Sequence, residues 1–425
     1  MTAHRNPLAW PASAHEYNQV VATTDVHSSL DRAGAMASSL HELRAAGALT
    51  ADCGDFFEGT GYYVLGSGKP ETALLCGLYD VTAPGNHGYR HHLTDPCLRA
   101  ITVCANVTGH SGTPVWPSLT IVNISGRRTA LTAVLGTEAF GSVPPTDRSG
   151  HRVQDPAAAL GRLHQRHGAS ADCWVVLSHS GFEQDTLLAR ACPFIDVIFA
   201  GHCHSLRYGP ETAGNAVVIK GAELAAGYSA AWPAADRWLA QVRTFGGSTV
   251  RGLSGLPADV TEALASAAQL RLSLQREVGP LLARFAGRTP PRNELLGLLC
   301  ATARTAAGAD AALINLTCLR EAHLGKTLTA GDLMTLEPFG NSLITLITPD
   351  AGATAARLAA GAGPMGAAPD PLPPGTVKIV TTDYLTATYL HDGPERTADS
   401  KFSLPLRDLV ADLLLGGSGR KRDWS

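Results

Sequence analysis

The sequence lacks the features that mark several large classes of protein. No apolar run approaches the roughly 18 residues of a membrane-spanning helix, and Met1–Tyr17 has no apolar segment typical of a secretory signal. The formal net charge of −3 is not the basic excess of a nucleic-acid coat protein. Nine cysteines are scattered without a C-x-x-C pair. We therefore expect reduced thiols, a cytoplasmic location, and neither a membrane nor a nucleic-acid polymer as a partner; the oligomeric state stays open.

The 425 residues, 45% of them hydrophobic, suffice for two domains with large cores. In the first half, short apolar runs typical of strands alternate with helical patterns. The strand-like runs are Asn18–Thr24, Ala48–Asp52, Tyr79–Ala83, Ile101–Val107, Asp172–Leu177 and Asp196–Ala200. The helical patterns are Asp31–Ala46 and Asp155–His167, and Ser118–Leu135 is typical of a hairpin. This alternation predicts an α/β layer fold with functional loops at the strand ends.

The composition changes within Gly246–Gly255, which predicts a domain boundary near residue 250. Pro257–Phe285 has one continuous helical pattern and would connect the two domains. A second α/β portion follows, in which Pro364–Gly375 is rich in glycine and proline and is expected to be a surface loop. The predicted organisation is therefore a domain over 18–250, a helix over 257–285 and a smaller domain over 286–418.

Five short segments of the first half place metal-type ligands just after strand-like runs. Their seven candidate ligands are Asp25, His27, Asp55, Asn86, His179, His202 and His204. Carboxylate, amide and imidazole ligands together suit borderline divalent ions such as Mn²⁺, Zn²⁺, Fe²⁺ or Co²⁺. A single structural zinc site needs about four ligands, so seven indicate two ions that share a bridging carboxylate.

These segments resemble the calcineurin-like metallophosphoesterases, whose pattern is D-x-H, G-D, G-N-H, S-H and G-H-x-H. The resemblance implies an α/β (α+β) fold with an N-terminal β-sandwich flanked by helices. It implies two divalent ions (Mn, Zn, Co, Fe or Mg) with Asp55 bridging them. One ion would take Asp25, His27, Asp55 and His204, and the other Asp55, Asn86, His179 and His202. His87, beside the ligand Asn86, is similar to the family's catalytic histidine, which stabilises the transition state or the leaving oxygen.

The second half narrows the resemblance to the 5′-nucleotidase and UDP-sugar hydrolase family, through Gly331-Asp332-Leu333 and Glu337-Pro338-Phe339-Gly340-Asn341. In that family the smaller C-terminal α/β domain holds the nucleoside and carries it to the metals. The resemblance implies that Phe339 stacks on a base and Asn341 hydrogen-bonds it. The other implied substrate-binding residues are Arg288, Arg292, Asn315 and Arg320 toward the phosphate or sugar, Tyr384 as a second aromatic, and Asp392 toward the ribose.

Two departures from the family pattern concern catalysis and recognition. The family follows its histidine with Glu and, two residues after that, with the Asp that orients the imidazole, whereas this chain has Gly88 and Arg90 there. Because arginine accepts no hydrogen bond, either another carboxylate orients His87 or the histidine is less effective. His91 and His92 are nearby candidates. The family's Asn-Gly-Gly-Gly-Ile-Arg is here Asn315 to Arg320 with three bulkier residues in place of glycine, which predicts a remodelled substrate site.

The expected function is hydrolysis of a nucleoside 5′-monophosphate to nucleoside and phosphate by hydroxide held between two ions. The altered sugar-facing segment and the expected cytoplasmic location favour a modified nucleotide of a specialised pathway. Two alternatives stay open. The same site could hydrolyse a phosphodiester or a nucleotide diphosphate, or Gly88 and Arg90 could mark a nucleotide-binding protein without catalysis.

Overall fold

The computed structural model describes residues 16–246, 255–399 and 401–417. The chain forms two compact units. Of the described residues, the first comprises those up to Glu58 and those within Gly68–Ala268, and the second comprises Gly59–Ser67 and those from Gln269 onward. The expected boundary near residue 250 lies outside the described residues. Within the described residues, no helix combines the length and the apolar character that a membrane crossing requires.

The first unit contains fourteen strands of the described chain. They are β1 (Glu16–Tyr17), β2 (Gln19–Thr23), β3 (Ala48–Asp52), β4 (Val81–Thr82), β5 (Val107–Gly109), β6 (Leu119–Ile124), β7 (Arg127–Leu135), β8 (His151–Val153), β9 (Cys173–His179), β10 (Val197–Ala200), β11 (Glu211–Ala213), β12 (Ala216–Lys220), β13 (Gly227–Pro233) and β14 (Trp238–Thr244). The chain's first nine α-helices are α1 (Ala33–Ala45), α2 (Gly61–Gly66, in the second unit), α3 (Lys69–Leu78), α4 (Tyr89–Thr94), α5 (Pro96–Ile101), α6 (Thr137–Ser142), α7 (Pro156–His167), α8 (Phe182–Ala191) and α9 (Ala258–Leu274).

Two sheets form a sandwich in this unit, as the family resemblance implied. One has seven strands in the order β1-β6-β7-β9-β10-β12-β11, and the other has five in the order β14-β13-β2-β3-β4. Alternate residues of β9 face opposite sides, as the strand period requires. Cys173, Val175 and Leu177 join the core shared with the second sheet, whereas Val176 packs with the residues of α8. The shared core also includes Val20, Leu49, Leu131, Phe199 and Trp238.

The second unit is a smaller α/β structure. Its elements are α2, β15 (Glu277–Pro280), α10 (Arg292–Ala307), β16 (Ala311–Asn315), β17 (Thr327–Thr329), α11 (Ala330–Leu336), β18 (Ser342–Thr348), α12 (Ala351–Ala362), β19 (Met365–Ala368), β20 (Val377–Thr382), α13 (Asp383–Leu385), β21 (Arg396–Thr397), β22 (Leu404–Pro405) and α14 (Leu406–Leu415). The sheet runs β19-β16-β20-β18-β21, with β22 also on β18. Ala312 and Ile314 of β16 pack in one core, and Ala311 and Leu313 in the other, so both faces of the sheet are covered.

Three sequence-based boundaries are wrong. Helix α9 ends at Leu274, and part of the expected 257–285 helix is instead β15, which pairs with β17. Ile101–Val107 is not one strand, because Asp95 caps the helix α5 that occupies its start. Pro364–Gly375 is not wholly a loop, since its Met365–Ala368 segment pairs with β16. In each case pairing or capping with distant or preceding residues overrides the local composition.

The expectation of nine reduced thiols is also wrong. Cys76 on α3 and Cys97 on α5 form a disulfide, with a sequence separation of 21. The other seven cysteines are free thiols, all buried except the half-buried Cys203. No short C-x-x-C spacing marks this pair, because its two sulfurs meet only through the packing of two helices. Reduced cysteines therefore no longer support a cytoplasmic location, which stays a prediction.

The disulfide gives a prediction that a thiol count can check. Denatured, unreduced protein should titrate seven thiols and reduced protein nine. The variant Cys76→Ser should lose about 3 kcal/mol of unfolding free energy, because the open chain gains conformational entropy when unfolded. Cys300→Ser, which alters a free buried thiol, is the matched control for the thiol titration. Nine thiols without reduction would contradict the bond.

Candidate metal centre

The carboxyl ends of parallel strands bring the predicted ligands together. Asp25 and His27 follow β2, Asp55 follows β3 and Asn86 follows β4, and these three strands are mutually parallel neighbours. His179 ends β9 and His202 follows β10, which run parallel in the other sheet. Parallel strands place their carboxyl ends at the same edge. Both sheets of the sandwich therefore direct their loops to one side of the first unit.

The first group of ligands surrounds His27. Its Nε2 atom lies 3.0 Å from Nε2 of His204, 3.9 Å from an oxygen of Asp25 and 3.8 Å from Oδ2 of Asp55. Nε2 of His204 lies 3.7 Å from the same Asp25 oxygen. Ligand bonds of about 2.0–2.2 Å set neighbouring ligand atoms about 3–3.5 Å apart. The four side chains cluster with atoms 3.0–3.9 Å apart, at and slightly beyond that spacing. That they share one ion stays a prediction.

The second group contains the other predicted ligands and shares Asp55 with the first. Nε2 of His179 lies 3.2 Å from Oδ1 of Asp55 and 3.2 Å from Oδ1 of Asn86. His202 has its ring centroid 5.0 Å from that of His179 and belongs with Asp55 and His179 to a group able to hold a metal ion. The two oxygens of Asp55 thus face different groups, Oδ2 toward His27 and Oδ1 toward His179.

The backbone at the ligands departs from ordinary conformations. Asp25, His27, Asp55 and His202 all have positive φ, at 49°, 47°, 57° and 77°. Such angles cost a non-glycine residue of the order of 1–2 kcal/mol, so surrounding contacts must hold these loops. Gly85 is needed for close approach, because a Cβ atom there would overlap the carboxylate of Asp55.

Among the buried candidate ligands, burial raises the pKa of Asp25, whereas Asp55 and His202 are held in the forms that bind a cation. Burial opposes ionisation of Asp55, yet His179, His87 and His27 hold its pKa well below its usual range, so it stays a carboxylate. Burial and His179 lower the pKa of His202 to about 4, which keeps that imidazole neutral. Ionised carboxylate and neutral imidazole are the forms that bind metals. Asp55 and Asp25 raise the pKa of His179 to about 9 against its burial, so this ring would release a proton on binding a cation.

A buried lysine that the sequence analysis missed supports the loop carrying His204. Lys220, fully buried at the end of β12, donates hydrogen bonds of 2.7 Å to the carbonyls of Cys203 and of Ser205. Its ammonium also pairs with Glu223. The two carbonyls flank His204 in the chain, so Lys220 fixes the backbone on both sides of this ligand. Only spatial proximity identifies this role, since Lys220 is 16 residues from His204 along the sequence.

The catalytic candidate His87 lies beside this centre and is held by a second residue that the sequence analysis missed. Its backbone N–H donates to Oδ1 of Asp55 over 2.8 Å, and its ring lies 5.0 Å from that of His27, centroid to centroid. Nδ1 of His87 lies 2.8 Å from a carboxylate oxygen of Glu58. A carboxylate thus lies within hydrogen-bond distance of the His87 ring, although the sequence has none at positions 88 and 90.

The nearby histidines do not supply this contact. His92 is buried and bonds Thr102 through Nδ1 over 2.9 Å, and burial lowers its pKa to about 3. His91 stacks on Phe57 with ring centroids 4.3 Å apart. Both therefore have packing contacts that account for their positions beside His87.

The substrate-binding candidates of the second unit fall into two sets. The guanidinium of Arg320 lies 5.5 Å from the ring centroid of Phe339, whose exposed fraction is 39%. Arg292 lies next to this segment, with Nη1 donating to the carbonyl of Leu319 over 3.5 Å. Asn341 donates to Glu337, a buried carboxylate that accepts from the N–H groups of Gly340 and Asn341 and pairs with Arg407.

The remaining candidates are more separate. Asn315 is buried and bonds Thr317, while its Oδ1 has no hydrogen-bond partner among the described residues. The ring of Tyr384 packs 6.1 Å from that of Tyr389, centroid to centroid, and Arg288 is exposed. Asp392 is 91% exposed and contacts His391. Their roles in substrate binding stay predictions.

Comparisons with known proteins agree with this architecture. No family model matches the chain. The 5′-nucleotidase of Bos taurus is 25% identical over 238 residues, which are 47% of this chain and 40% of that protein. Endonuclease YhcR of Bacillus subtilis (strain 168) is 26% identical over 310 residues, 63% of this chain and 25% of that protein. A 5′-nucleotidase precursor from Thermus thermophilus has a structure of TM-score 0.70 at 20% identity, covering 95% of this chain and 98% of that one.

The chain combines a β-sandwich with a cluster of metal-type side chains at its strand ends. The matched segments span less than half the length of these curated relatives. The structural likeness covers both units and shows the two-unit fold of solved 5′-nucleotidases. The chain is thus similar in sequence to curated 5′-nucleotidases and in fold to solved ones.

Lys220 gives a prediction about metal affinity. Lys220→Met leaves the carbonyls around His204 and the carboxylate of Glu223 without their cation. We expect the affinity for a divalent ion to fall about 10- to 100-fold, as for other residues that support metal ligands. Competition with a chromophoric chelator measures it. Lys378→Met is the matched control, since Lys378 donates one bond to the carbonyl of Ala307 in the second unit. Equal divalent-ion affinity in the Lys220→Met and Lys378→Met variants would contradict the role of Lys220 in supporting the loop of His204.

Proposed function

We propose that this protein is a metal-dependent phosphomonoesterase that hydrolyses a nucleoside 5′-monophosphate to nucleoside and phosphate. The observation that carries the proposal is the convergence of both ligand groups on the Asp55 carboxylate, with His87 bonded to the same carboxylate. Mixed oxygen and nitrogen ligands in two groups suit a pair of borderline divalent ions. The likeness to 5′-nucleotidases supports a phosphate ester of a nucleoside as substrate.

Each residue of the centre has a distinct task in this proposal. Asp25, His27 and His204 would hold one ion, Asn86, His179 and His202 the other, and Asp55 both. Divalent ions bound in such a site lower the pKa of water to supply a nucleophile and neutralise the charge of a phosphate. His87 would protonate or hydrogen-bond the oxygen that leaves with the nucleoside, because alkoxide is a poor leaving group without a proton. The hydrogen bond from its N–H to Asp55 fixes where its ring can lie.

The second unit would recognise the nucleoside. An exposed Phe ring offers a flat surface on which any base can stack, and Phe339 has that exposure. The buried Glu337 carboxylate holds the backbone after Phe339, because it accepts hydrogen bonds from the N–H groups of Gly340 and Asn341. The Oδ1 of Asn315, for which the described part of the chain provides no hydrogen-bond partner, is an acceptor that a sugar hydroxyl would satisfy.

Two alternatives from the sequence are outcomes of the same experiment. A phosphodiester or nucleotide diphosphate would use the same ligands, and a substrate panel separates these classes. The hypothesis of a binding protein without catalysis was motivated by the absent carboxylate after His87. Glu58 supplies a carboxylate at this position, which removes that motivation.

Phosphate release and metal analysis test the proposed reaction. We expect about two divalent ions per chain and phosphate release from at least one natural or modified nucleoside 5′-monophosphate with Mn²⁺, Zn²⁺, Co²⁺, Fe²⁺ or Mg²⁺. Asp55→Asn should abolish turnover, because its carboxylate serves both ligand groups, and should lower the metal content. Asp236→Asn alters an exposed carboxylate and is the matched control. Turnover of diesters with none of monoesters would overturn the monoesterase proposal.

Phe339 gives a separate prediction about recognition. Phe339→Ala should raise the KM for a nucleoside 5′-monophosphate about 5- to 100-fold, the loss expected from one stacked base. It should leave the kinetics with ribose 5-phosphate, which has no base, unchanged. Leu272→Ala removes another exposed apolar side chain of the same unit and is the control. An equal effect on both substrates would show that Phe339 acts through the fold and not through the base.

A further inference from the structure

We propose that Glu58 is the positioning residue of His87, in place of the aspartate that this family has after its catalytic histidine. The inference rests on the proposed function, since it assigns the residue that orients the proposed proton donor. It goes beyond that function because it gives a task to a residue outside the family's ligand and catalytic motifs.

Both oxygens of the Glu58 carboxylate bond the segment that carries His87. One lies 2.8 Å from Nδ1 of His87, and the other accepts the backbone N–H of Gly88 over 2.9 Å. The side chains are partly enclosed, with exposed fractions of 17% for His87 and 30% for Glu58. A carboxylate that accepts two bonds from adjacent residues fixes both the ring and the backbone beneath it. This double contact distinguishes Glu58 from a chance surface neighbour.

This chain has no carboxylate at either family position, because Gly88 and Arg90 occupy them, and the local backbone instead brings Glu58 to His87. Gly88 has a φ of +68°, and a Cβ atom there would overlap the ring of Phe57. A side chain at position 88 would therefore displace the Phe57–Glu58 segment. Arg90 is an exposed residue of α4. Its guanidinium has no atom that can accept a hydrogen bond from His87. The family's Glu and Asp positions are thus both unable to orient His87 in this chain.

The segment that carries Glu58 is itself held in place. Glu58 has a φ of +65°, which aims its side chain back toward His87, and Phe57 beside it stacks on His91 at 4.3 Å between centroids. Three residues further back, Asp55 accepts the N–H of His87. The segments 55–58 and 87–91 therefore have three contacts: Asp55 with the N–H of His87, Phe57 with His91, and Glu58 with the ring of His87.

The contact also selects which nitrogen of His87 can serve the substrate. A carboxylate accepts only, so Nδ1 carries the proton shared with Glu58. Proton exchange with a leaving oxygen then falls to Nε2. This is the orientation and tautomer selection that a carboxylate partner provides to a catalytic histidine.

The first test compares Glu58→Gln with Glu138→Gln, which alters an exposed carboxylate of α6 in the same unit. Glutamine keeps the size of Glu58, but its amide cannot accept from both His87 and Gly88. We expect kcat for a nucleoside 5′-monophosphate to fall about 10- to 100-fold, with KM and metal content unchanged. Glu138→Gln should match the parent protein. A loss of metal in Glu58→Gln would instead assign Glu58 to the ligand loops and overturn the proposal.

The second test asks whether Glu58 acts through His87. Combined with His87→Ala, the Glu58→Gln change should have no further effect on kcat, because its partner is gone. It should also have little effect with p-nitrophenyl phosphate, whose leaving oxygen needs no proton. An equal loss in the His87→Ala background, or with both substrates, would show that Glu58 acts through general structure and would overturn the proposal.

A spectroscopic test is independent of turnover. In ¹H–¹⁵N spectra of histidine side chains, the Nδ1 proton of His87 should resonate far downfield and be identified by its loss in His87→Ala. It should move upfield in Glu58→Gln and stay in place in Glu138→Gln. An unmoved resonance would overturn the proposed contact even if turnover changed. If the parent protein releases no phosphate from any nucleotide, the proposed function is wrong. The hydrogen bond between Glu58 and His87 is still tested by this spectrum.

Discussion

The buried carboxylate of Asp55 is the group on which the rest of the centre depends. It faces His27 through one oxygen and His179 through the other, and it accepts the N–H of His87. Its exposed fraction is 2%, and an unpaired carboxylate in such surroundings would be expelled or protonated. Three positively polarised neighbours keep it ionised instead. The same charge requirement makes a cation the natural partner of this site.

Holding that carboxylate in place needs a second layer of buried polar groups. Asp52, at the end of β3, accepts from Thr23 and from the N–H of Gly54, and burial raises its pKa to about 8. Asp185 accepts from Ser178 in the strand that ends at His179. Such bonds stabilise loops whose backbone angles are unfavourable in isolation. The sandwich therefore contributes more than a scaffold, since its strand ends carry both the ligands and the residues that fix them.

The sequence was sufficient for the features that follow from local pattern. Each predicted ligand lies within a few residues of a strand end, and the structure brings Asp25, His27 and His204 into one group and Asp55, His179 and His202 into another, with Asn86 beside His179. That these residues bind metal ions stays a prediction. The sequence was insufficient for contacts between residues that lie far apart along the chain. Glu58 and His87 are 29 residues apart, and Cys76 and Cys97 meet only through helix packing. Lys220 likewise contacts carbonyl groups, which no side-chain pattern can represent.

The position of Glu58 shows why a missing motif residue is weak grounds for assigning lost function. Orienting an imidazole requires an acceptor atom at hydrogen-bond distance from Nδ1, and it does not require that the acceptor follow the histidine in the chain. Gly88 makes room for Phe57, and the approach of Phe57 brings Glu58 to His87. The residue that would count as a defect in the motif is thus part of what allows the replacement contact. The glycine at position 88 and the carboxylate at position 58 therefore depend on each other. The structure shows this because it brings the two segments into contact.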